Sequence, residues 1–193
     1  MKQVKGFKND FKFCPMCGSR NIENHADRKW LCPDCGFDLY NNVATAVGII
    51  IYDKNDKVLF EVRAKEPRKG FLAVPGGFVD FNESAEEAVL RECREEIGVE
   101  VSGATFLCSA PNIYEYKGIE YKTCDLFFSA PLPDKYDSIE DYIKSLKAEE
   151  SEVLGFEAHL VSNEADLDAL PLAFGSARTA LLAHIKNQKK IRK

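Results

Sequence analysis

The sequence predicts an α/β fold in two parts. A layered domain with a mixed sheet occupies residues 42–193, and a small four-cysteine zinc ribbon precedes it over residues 1–41. Three observations carry this. Two Cys-Pro-x-Cys-Gly segments lie near the N-terminus. Downstream, apolar strand patterns are interleaved with two or three helical ones, the signature of helices layered on a sheet. The length, 193 residues, suits one medium domain plus a small module.

The ribbon comes first. Cys14-Pro-Met-Cys17-Gly and Cys32-Pro-Asp-Cys35-Gly each suit a tight knuckle, because a glycine after the second cysteine permits the turn. Fourteen residues separate the pairs, enough for a short hairpin with Arg28–Leu31 as its return strand. Two knuckles present four thiolates, which suits tetrahedral Zn²⁺ with no open position, so the metal is expected to be structural. A unit of about 40 residues rarely folds on a hydrophobic core alone. Bound zinc supplies what the core lacks, on the order of 10 kcal/mol of apparent binding energy. The other cysteines, Cys93, Cys108 and Cys124, sit among apolar neighbours and read as small core residues.

Leu39–Asn42 reads as a junction. Val43–Tyr52 is a strand rich in Val and Ile, Asp53–Asp56 a turn, and Lys57–Arg63 a second strand, so the pair reads as a hairpin. Pro67–Gly70 is a loop. Phe71–Val74 is short and apolar and ends at Pro75-Gly76-Gly77. Ser84–Ile97 is a helix, with Ser84 and Glu87 forming a capping box and Gly98 the stop. Further strands are expected near 99–109, 112–117, 119–130 and 153–161, with Lys117-Gly118 as a hairpin turn. Ser138–Ala148 and Ser176–Asn187 read as helices.

The first long helix carries the chemistry. At about 100° per residue, Val89, Leu90, Cys93 and Ile97 share one arc, the core face. Glu92, Glu95 and Glu96 occupy the adjacent arc, with Glu96 at its apolar edge. Like charges one turn apart repel, and a cation is the natural remedy. Hard oxygen ligands suit Mg²⁺ or Mn²⁺. Arg91 is four residues before Glu95 and can brace it. Gly76-Gly77 lets the backbone approach a ligand closely and can offer a carbonyl to it. Glu83 can hydrogen-bond back to the loop.

These residues read Gly77-x5-Glu83-x7-Arg91-Glu92-Cys93-Arg94-Glu95-Glu96-Ile97-Gly98-Val99. The run resembles the Nudix box, Gly-x5-Glu-x7-Arg-Glu-U-x-Glu-Glu-x-Gly-U with U aliphatic. All seven fixed positions match, a coincidence of roughly 10⁻⁸ per start site at ordinary residue usage. Cys93 stands at an aliphatic position. The resemblance covers about residues 42–185 and implies an α/β/α sandwich that hydrolyses a nucleoside diphosphate linked to another group. It also implies that Glu92, Glu95 and Glu96 ligate a divalent metal, that Gly76 or Gly77 adds a carbonyl, and that Glu83 and Arg91 are braces. A late glutamate often completes such sites. Glu152, just before the apolar strand start at Val153, is the first candidate, and Glu149 and Glu150 are rivals. Arg63 and Lys69 are candidates to meet phosphates, or are plain surface cations. Phe174 is a candidate lining residue of the nucleotide pocket.

A four-cysteine ribbon ahead of this box is similar to the NADH-pyrophosphatase members of the family. Their Ser-Gln-Pro-Trp-Pro-Phe-Pro run is matched here only in part, by Ser109-Ala110-Pro111-Asn112-Ile113-Tyr114. NADH, ADP-ribose and FAD therefore all stand as substrates. Tyr114, Tyr116 and Tyr121 either stack on a base or pack on a strand face. The alternative is a nucleotide sensor or zinc-ribbon binding module without turnover.

The net charge of −5 argues against non-specific nucleic-acid binding by the whole chain. The basic end, Lys186–Lys193, suits a helix C-terminus and a solvated tail. The longest apolar run, Val43–Tyr52, is far shorter than the ~20 residues that span a bilayer. Met1–Lys8 lacks an apolar signal core. With cysteines read as reduced, the expectation is a cytoplasmic homodimer acting on a small nucleoside diphosphate derivative.

Overall fold

The computed structural model describes residues 11–117 and 119–192. The readings made for Met1–Lys8, Gly118 and Lys193 lie outside the described residues. The chain divides into two units: Met1–Ala44 with Ile113–Lys122, and Thr45–Asn112 with Thr123–Lys193.

The first unit holds a three-stranded antiparallel sheet, β1 (Glu23–His25), β2 (Lys29–Leu31) and β3 (Asp38–Tyr40). Trp30 of β2 pairs with Asn24 and Leu39, one on each side. It is buried, and Phe11 meets it edge-on at 4.8 Å between ring centroids. β3 takes in the first half of the stretch read as a junction. Its three residues are exposed, so it offers no hydrophobic pattern to read. At the hairpin end assigned to this unit, Tyr114 and Tyr116 lie 6.4 Å apart and Lys117 caps the Tyr116 ring.

The second unit carries the mixed sheet, with strands β4 (Ala44–Tyr52), β5 (Lys57–Arg63), β6 (Leu72–Ala73), β7 (Thr105–Tyr116), β8 (Ile119–Pro131) and β9 (Val153–Leu160). The strand order is β6-β5-β4-β8-β7, and β9 pairs antiparallel with β5 along nearly its whole length. A parallel bridge joins Leu72 to Leu172. Strand β4 is apolar on both faces because both are covered. Val47, Ile49 and Ile51 pack with helix α1 (Ala85–Glu92), while Ile50 packs with helix α4 (Gly175–Ile191). That is the α/β/α sandwich. Two short helices, α2 (Ile139–Ile143) and α3 (Glu164–Asp168), complete the set.

Several boundaries differ from the sequence reading for physical reasons. Strand β7 runs unbroken through Pro111 instead of splitting there. It ends the strand order, and an edge strand can spare the missing N–H. Residues 99–104 form no strand, and Gly103 there has φ 71°. Helix α2 covers only the start of 138–148, while its cap, Ser138 accepting from the Asp141 N–H, is where expected. Helix α3 is additional, closed by a capping box between Asn163 and Asp166.

Candidate active site

Helix α1 starts as its sequence dictates. The Ser84 hydroxyl accepts from the Glu87 N–H, and the Glu87 carboxylate accepts from the Ser84 N–H. The helix changes at its end. Cys93–Ile97 forms a π turn, in which the Gly98 N–H donates to the Cys93 carbonyl five residues back. Gly98 closes the turn at φ 70°, a left-handed conformation that favours glycine. Val89, Cys93 and Ile97 are buried in the core, and burial pushes the Cys93 thiol up to about 12.

The glutamates of the turn differ in environment. Glu96 is 6% exposed, and its Oε2 accepts from the Gly76 N–H at 2.7 Å. Burial raises its pKa to about 8, and the charges of Glu92 and Glu152 add to the rise. Burial also raises Glu92. Glu95 is the exposed member. Arg91 uses all five of its N–H groups. Two go to Glu83, at 2.6 and 3.0 Å, one each to Glu92 and Glu95 at 2.9 Å, and one to the Phe78 carbonyl at 3.0 Å. The hydrogen bonds from Arg91 lower the Glu83 pKa to about 2. Glu83 also accepts from the Asp80 N–H at 2.8 Å, which ties the helix start to the preceding loop.

The glycine loop leaves no slack. Gly76 has φ 147°, and a Cβ on it would overlap the Val47 carbonyl oxygen. A Cβ on Gly77 would overlap the Glu92 carboxylate. The Gly77 carbonyl accepts from the Val47 N–H at 2.8 Å, so it is already part of the pairing with β4.

Glu152 reaches this group from the start of β9. Its carbonyl accepts from Ala64, its carboxylate takes Lys65 Nζ at 2.5 Å, and its charge raises Glu61, Glu92 and Glu96. Of its rivals, Glu149 packs by its backbone, the N–H donating to the Glu96 carbonyl at 3.2 Å, and Glu150 is exposed. Arg63 ends β5. Its Nε donates to the Pro67 carbonyl at 3.1 Å, its guanidinium lies 5.1 Å from the Phe174 ring centroid, and its charge offsets the rise at Glu61 and Glu96. Arg63 and Phe174 are thus brought together beside the glutamates. Lys69 is exposed in the loop after β5. Tyr114 belongs to the first unit.

One residue escaped the sequence reading. Glu61, in the middle of β5, is 3% exposed, and its Oε2 has no hydrogen-bond partner. Burial raises it well above the usual carboxylate range, and the charge of Glu96 raises it further. The available signal was alternation: Glu61 shares a face with Leu59, which packs under α1.

Buried, mutually repelling carboxylates with one oxygen left unpaired fit a hard divalent cation, which would return the charge compensation that burial removes. The ribbon fits a softer one. Its four Sγ atoms lie within 4.8 Å of one another, with Cys14–Cys35 and Cys17–Cys32 each at 3.7 Å. Tetrahedral Zn–S bonds of about 2.3 Å put sulfurs about 3.8 Å apart. The knuckles are built alike. The Gly18 N–H donates to the Cys14 carbonyl and the Gly36 N–H to that of Cys32, both at 2.9 Å. Both glycines have positive φ.

The family model of the NUDIX domain matches residues 43–164. Among curated proteins, the NAD-capped RNA hydrolase NudC of Pseudomonas aeruginosa is 36% identical over 100 residues, 51% of this chain and 34% of that protein. The match thus spans about a third of that relative's length. Among solved structures, a NUDIX hydrolase from Nitrosomonas europaea superposes with a TM-score of 0.61 at 23% identity, covering 93% of each chain. The NUDIX domain of Shewanella oneidensis NrtR, solved with ADP ribose, gives 0.56 at 22% identity, covering 79% of this chain and 90% of that one. At such identities the likeness speaks for the fold. Among the described residues, no helix is long and apolar enough to cross a membrane.

Proposed function

The chain belongs to the NUDIX domain family, and on that premise we propose that it is a divalent-metal-dependent pyrophosphohydrolase. The substrate is a nucleoside diphosphate linked to a second group, most simply a dinucleotide or nucleotide sugar such as NADH, ADP-ribose or FAD, and the product is a nucleoside monophosphate. The observation that carries this reading is the pair Glu92 and Glu96, withdrawn from water at the end of the box helix, with the exposed Glu152 and the Arg63 guanidinium acting on it by charge. The name of the Pseudomonas relative supports widening the class to a dinucleotide carried at the end of an RNA.

Glu92, Glu95, Glu96 and Glu152 would hold Mg²⁺ or Mn²⁺. Gly76 or Gly77 would add a backbone oxygen; the Gly77 carbonyl accepts one hydrogen bond, from the Val47 N–H, and keeps a second lone pair for an ion. When bound, the cation supplies charge neutralisation for the diphosphate and acidity for a water. The protein does the rest. Arg63 and Lys69 meet phosphate oxygens, the Phe174 ring offers a face to a base, and Tyr114 is a second candidate for stacking. A site carboxylate, Glu96 or Glu152, takes the proton of the attacking water. Arg91 and Glu83 fix the helix so that these groups keep their geometry. Cys14, Cys17, Cys32 and Cys35 would hold zinc as a structural ion, since protein supplies all four ligands.

The test is a substrate panel read by liquid chromatography, with NADH, NAD⁺, ADP-ribose, FAD, diadenosine polyphosphates, nucleoside triphosphates and an NAD-capped RNA. Each is run with Mg²⁺ or Mn²⁺, and Glu96→Gln serves as the blank. Release of a nucleoside monophosphate from one substrate, lost at least a hundredfold in the variant, is expected. Tight binding of a nucleotide without turnover would replace the hydrolase with a sensor.

A further inference from the structure

The cluster of acids extends beyond the box helix to a strand. The β5 side chains alternate, with Val58 and Phe60 in the α4 core and Leu59 in the α1 core. Glu61 follows Leu59 on the α1 side, where Glu92 and Glu96 end the helix. Along its strand it is fixed on both sides, paired with Ala73 of β6 and Phe156 of β9. It therefore cannot swing out to water. It is 3% exposed, and Oε2 accepts no hydrogen bond. A cation that acts on it is Arg63, whose guanidinium is shared with the Pro67 carbonyl and the Phe174 ring.

A buried carboxylate oxygen without a partner is costly, and a glutamate flanked in its strand by Val58, Leu59, Phe60 and Val62 needs a reason. An apolar residue would pack there at no such cost. The acids around Glu61 supply no partner while ionised, because in that form they accept and do not donate. A cation can.

We propose that Glu61 is a further acidic ligand of the divalent cation, contributed by strand β5 and directed through Oε2 at the ion that Glu92 and Glu96 hold. This rests on the metal-dependent reading above. It makes the ion join three elements: the box helix, the central part of β5 and, through Glu152, the start of β9.

The test measures binding directly, apart from turnover. The full zinc-loaded chain is titrated with Mn²⁺, and the free ion is followed by its electron paramagnetic resonance signal. Wild type, Glu61→Gln and Glu96→Gln are compared, with thermal melting run on each without and with Mn²⁺. Glu61→Gln keeps the shape of the side chain and removes its charge. It is expected to weaken Mn²⁺ binding at least tenfold and to shrink the Mn²⁺-induced rise in melting temperature. The melting temperature without Mn²⁺ should be no lower than that of wild type. Glu61→Leu, which fills the site with an apolar group, should give the same loss of Mn²⁺ binding. Wild-type Mn²⁺ affinity in Glu61→Gln, alongside weakened binding in Glu96→Gln, would overturn the role of Glu61 and leave the metal site intact. Unchanged binding in both variants would overturn both.

Discussion

The Gly76 N–H holds Oε2 of Glu96 at 2.7 Å, while a Cβ on Gly76 would overlap the Val47 carbonyl. The buried carboxylate and the loop that meets it are thus locked by one backbone group whose position no other residue type can share. Gly76→Ala is expected to cost about 2–4 kcal/mol of stability, because strain at φ 147° and a backbone overlap add together. Gly77→Ala meets a side chain instead, the Glu92 carboxylate. It should leave the fold largely intact and lower kcat at least tenfold. Chemical denaturation and steady-state kinetics on the pair separate the two effects.

Arg91 is where the site's geometry is most concentrated. Its fork reaches Glu83, Glu92, Glu95 and the Phe78 carbonyl together. Lysine keeps the charge and cannot reproduce that fork. Arg91→Lys should therefore reduce kcat by about 10²-fold, the usual scale for a misplaced site, while circular dichroism shows the fold retained. Full activity in this variant would remove the brace from the mechanism.

The ribbon carries its own reporter. The chain has a single tryptophan, Trp30, which is buried against Phe11 in the ribbon. Zinc analysis should return about one ion per chain, as four cysteine ligands require. Removal with a strong chelator should shift the tryptophan emission to the red as the ribbon unfolds. Cys32→Ser should reproduce that shift without chelator. Unshifted emission after complete zinc loss would show that the sulfurs do not hold this unit together.

His184 provides the pH dependence. It lies 1% exposed in α4, its ring tilted against that of Tyr52 at 4.6 Å between centroids, with neither ring nitrogen hydrogen-bonded. Burial lowers its pKa to about 4 from an ordinary 6.5. Between those values the unfolded chain binds a proton that the folded chain does not. Stability is therefore intact above pH 6.5 and falls as the pH drops toward 4, by up to about 3 kcal/mol. The Asp56 charge opposes the shift and the Arg192 charge adds to it, and the two are joined by a bidentate pair at 2.7 and 2.8 Å. Urea melts at pH 7 and pH 4.5 should show a smaller difference for His184→Leu than for wild type.

What the sequence made legible follows from which physical rules are local. The start of α1 was readable because Ser84 and Glu87 cap each other three residues apart, and its end because Gly98 must turn left-handed. The face of the helix was readable from periodicity, and so were the glutamates beside it. The four cysteines announced themselves by spacing. Glu61 was hidden because one acid in an apolar strand is usually a solvent-facing residue, and its burial on the Leu59 face of the sheet is tertiary. Helix α3 was too short for a periodic signal, although Asn163 and Asp166 do spell its cap. The proximity of Arg63 to Phe174 depends on a strand end and a helix start about a hundred residues apart in the chain, and no local rule reports it.

The π turn at Cys93–Ile97 sets which side chain the box turns toward its loop. Glu96 meets Gly76 only because this turn holds one residue more than a regular one. If the same residues tightened to ordinary pitch, the end of the turn would swing by roughly 100°, one helical step. The helix would survive, with its wrong side chain facing the loop. A substitution that keeps the wide turn is thus a smaller disturbance than one that lets it tighten, and the pitch of Cys93–Ile97 is itself part of the active site's design.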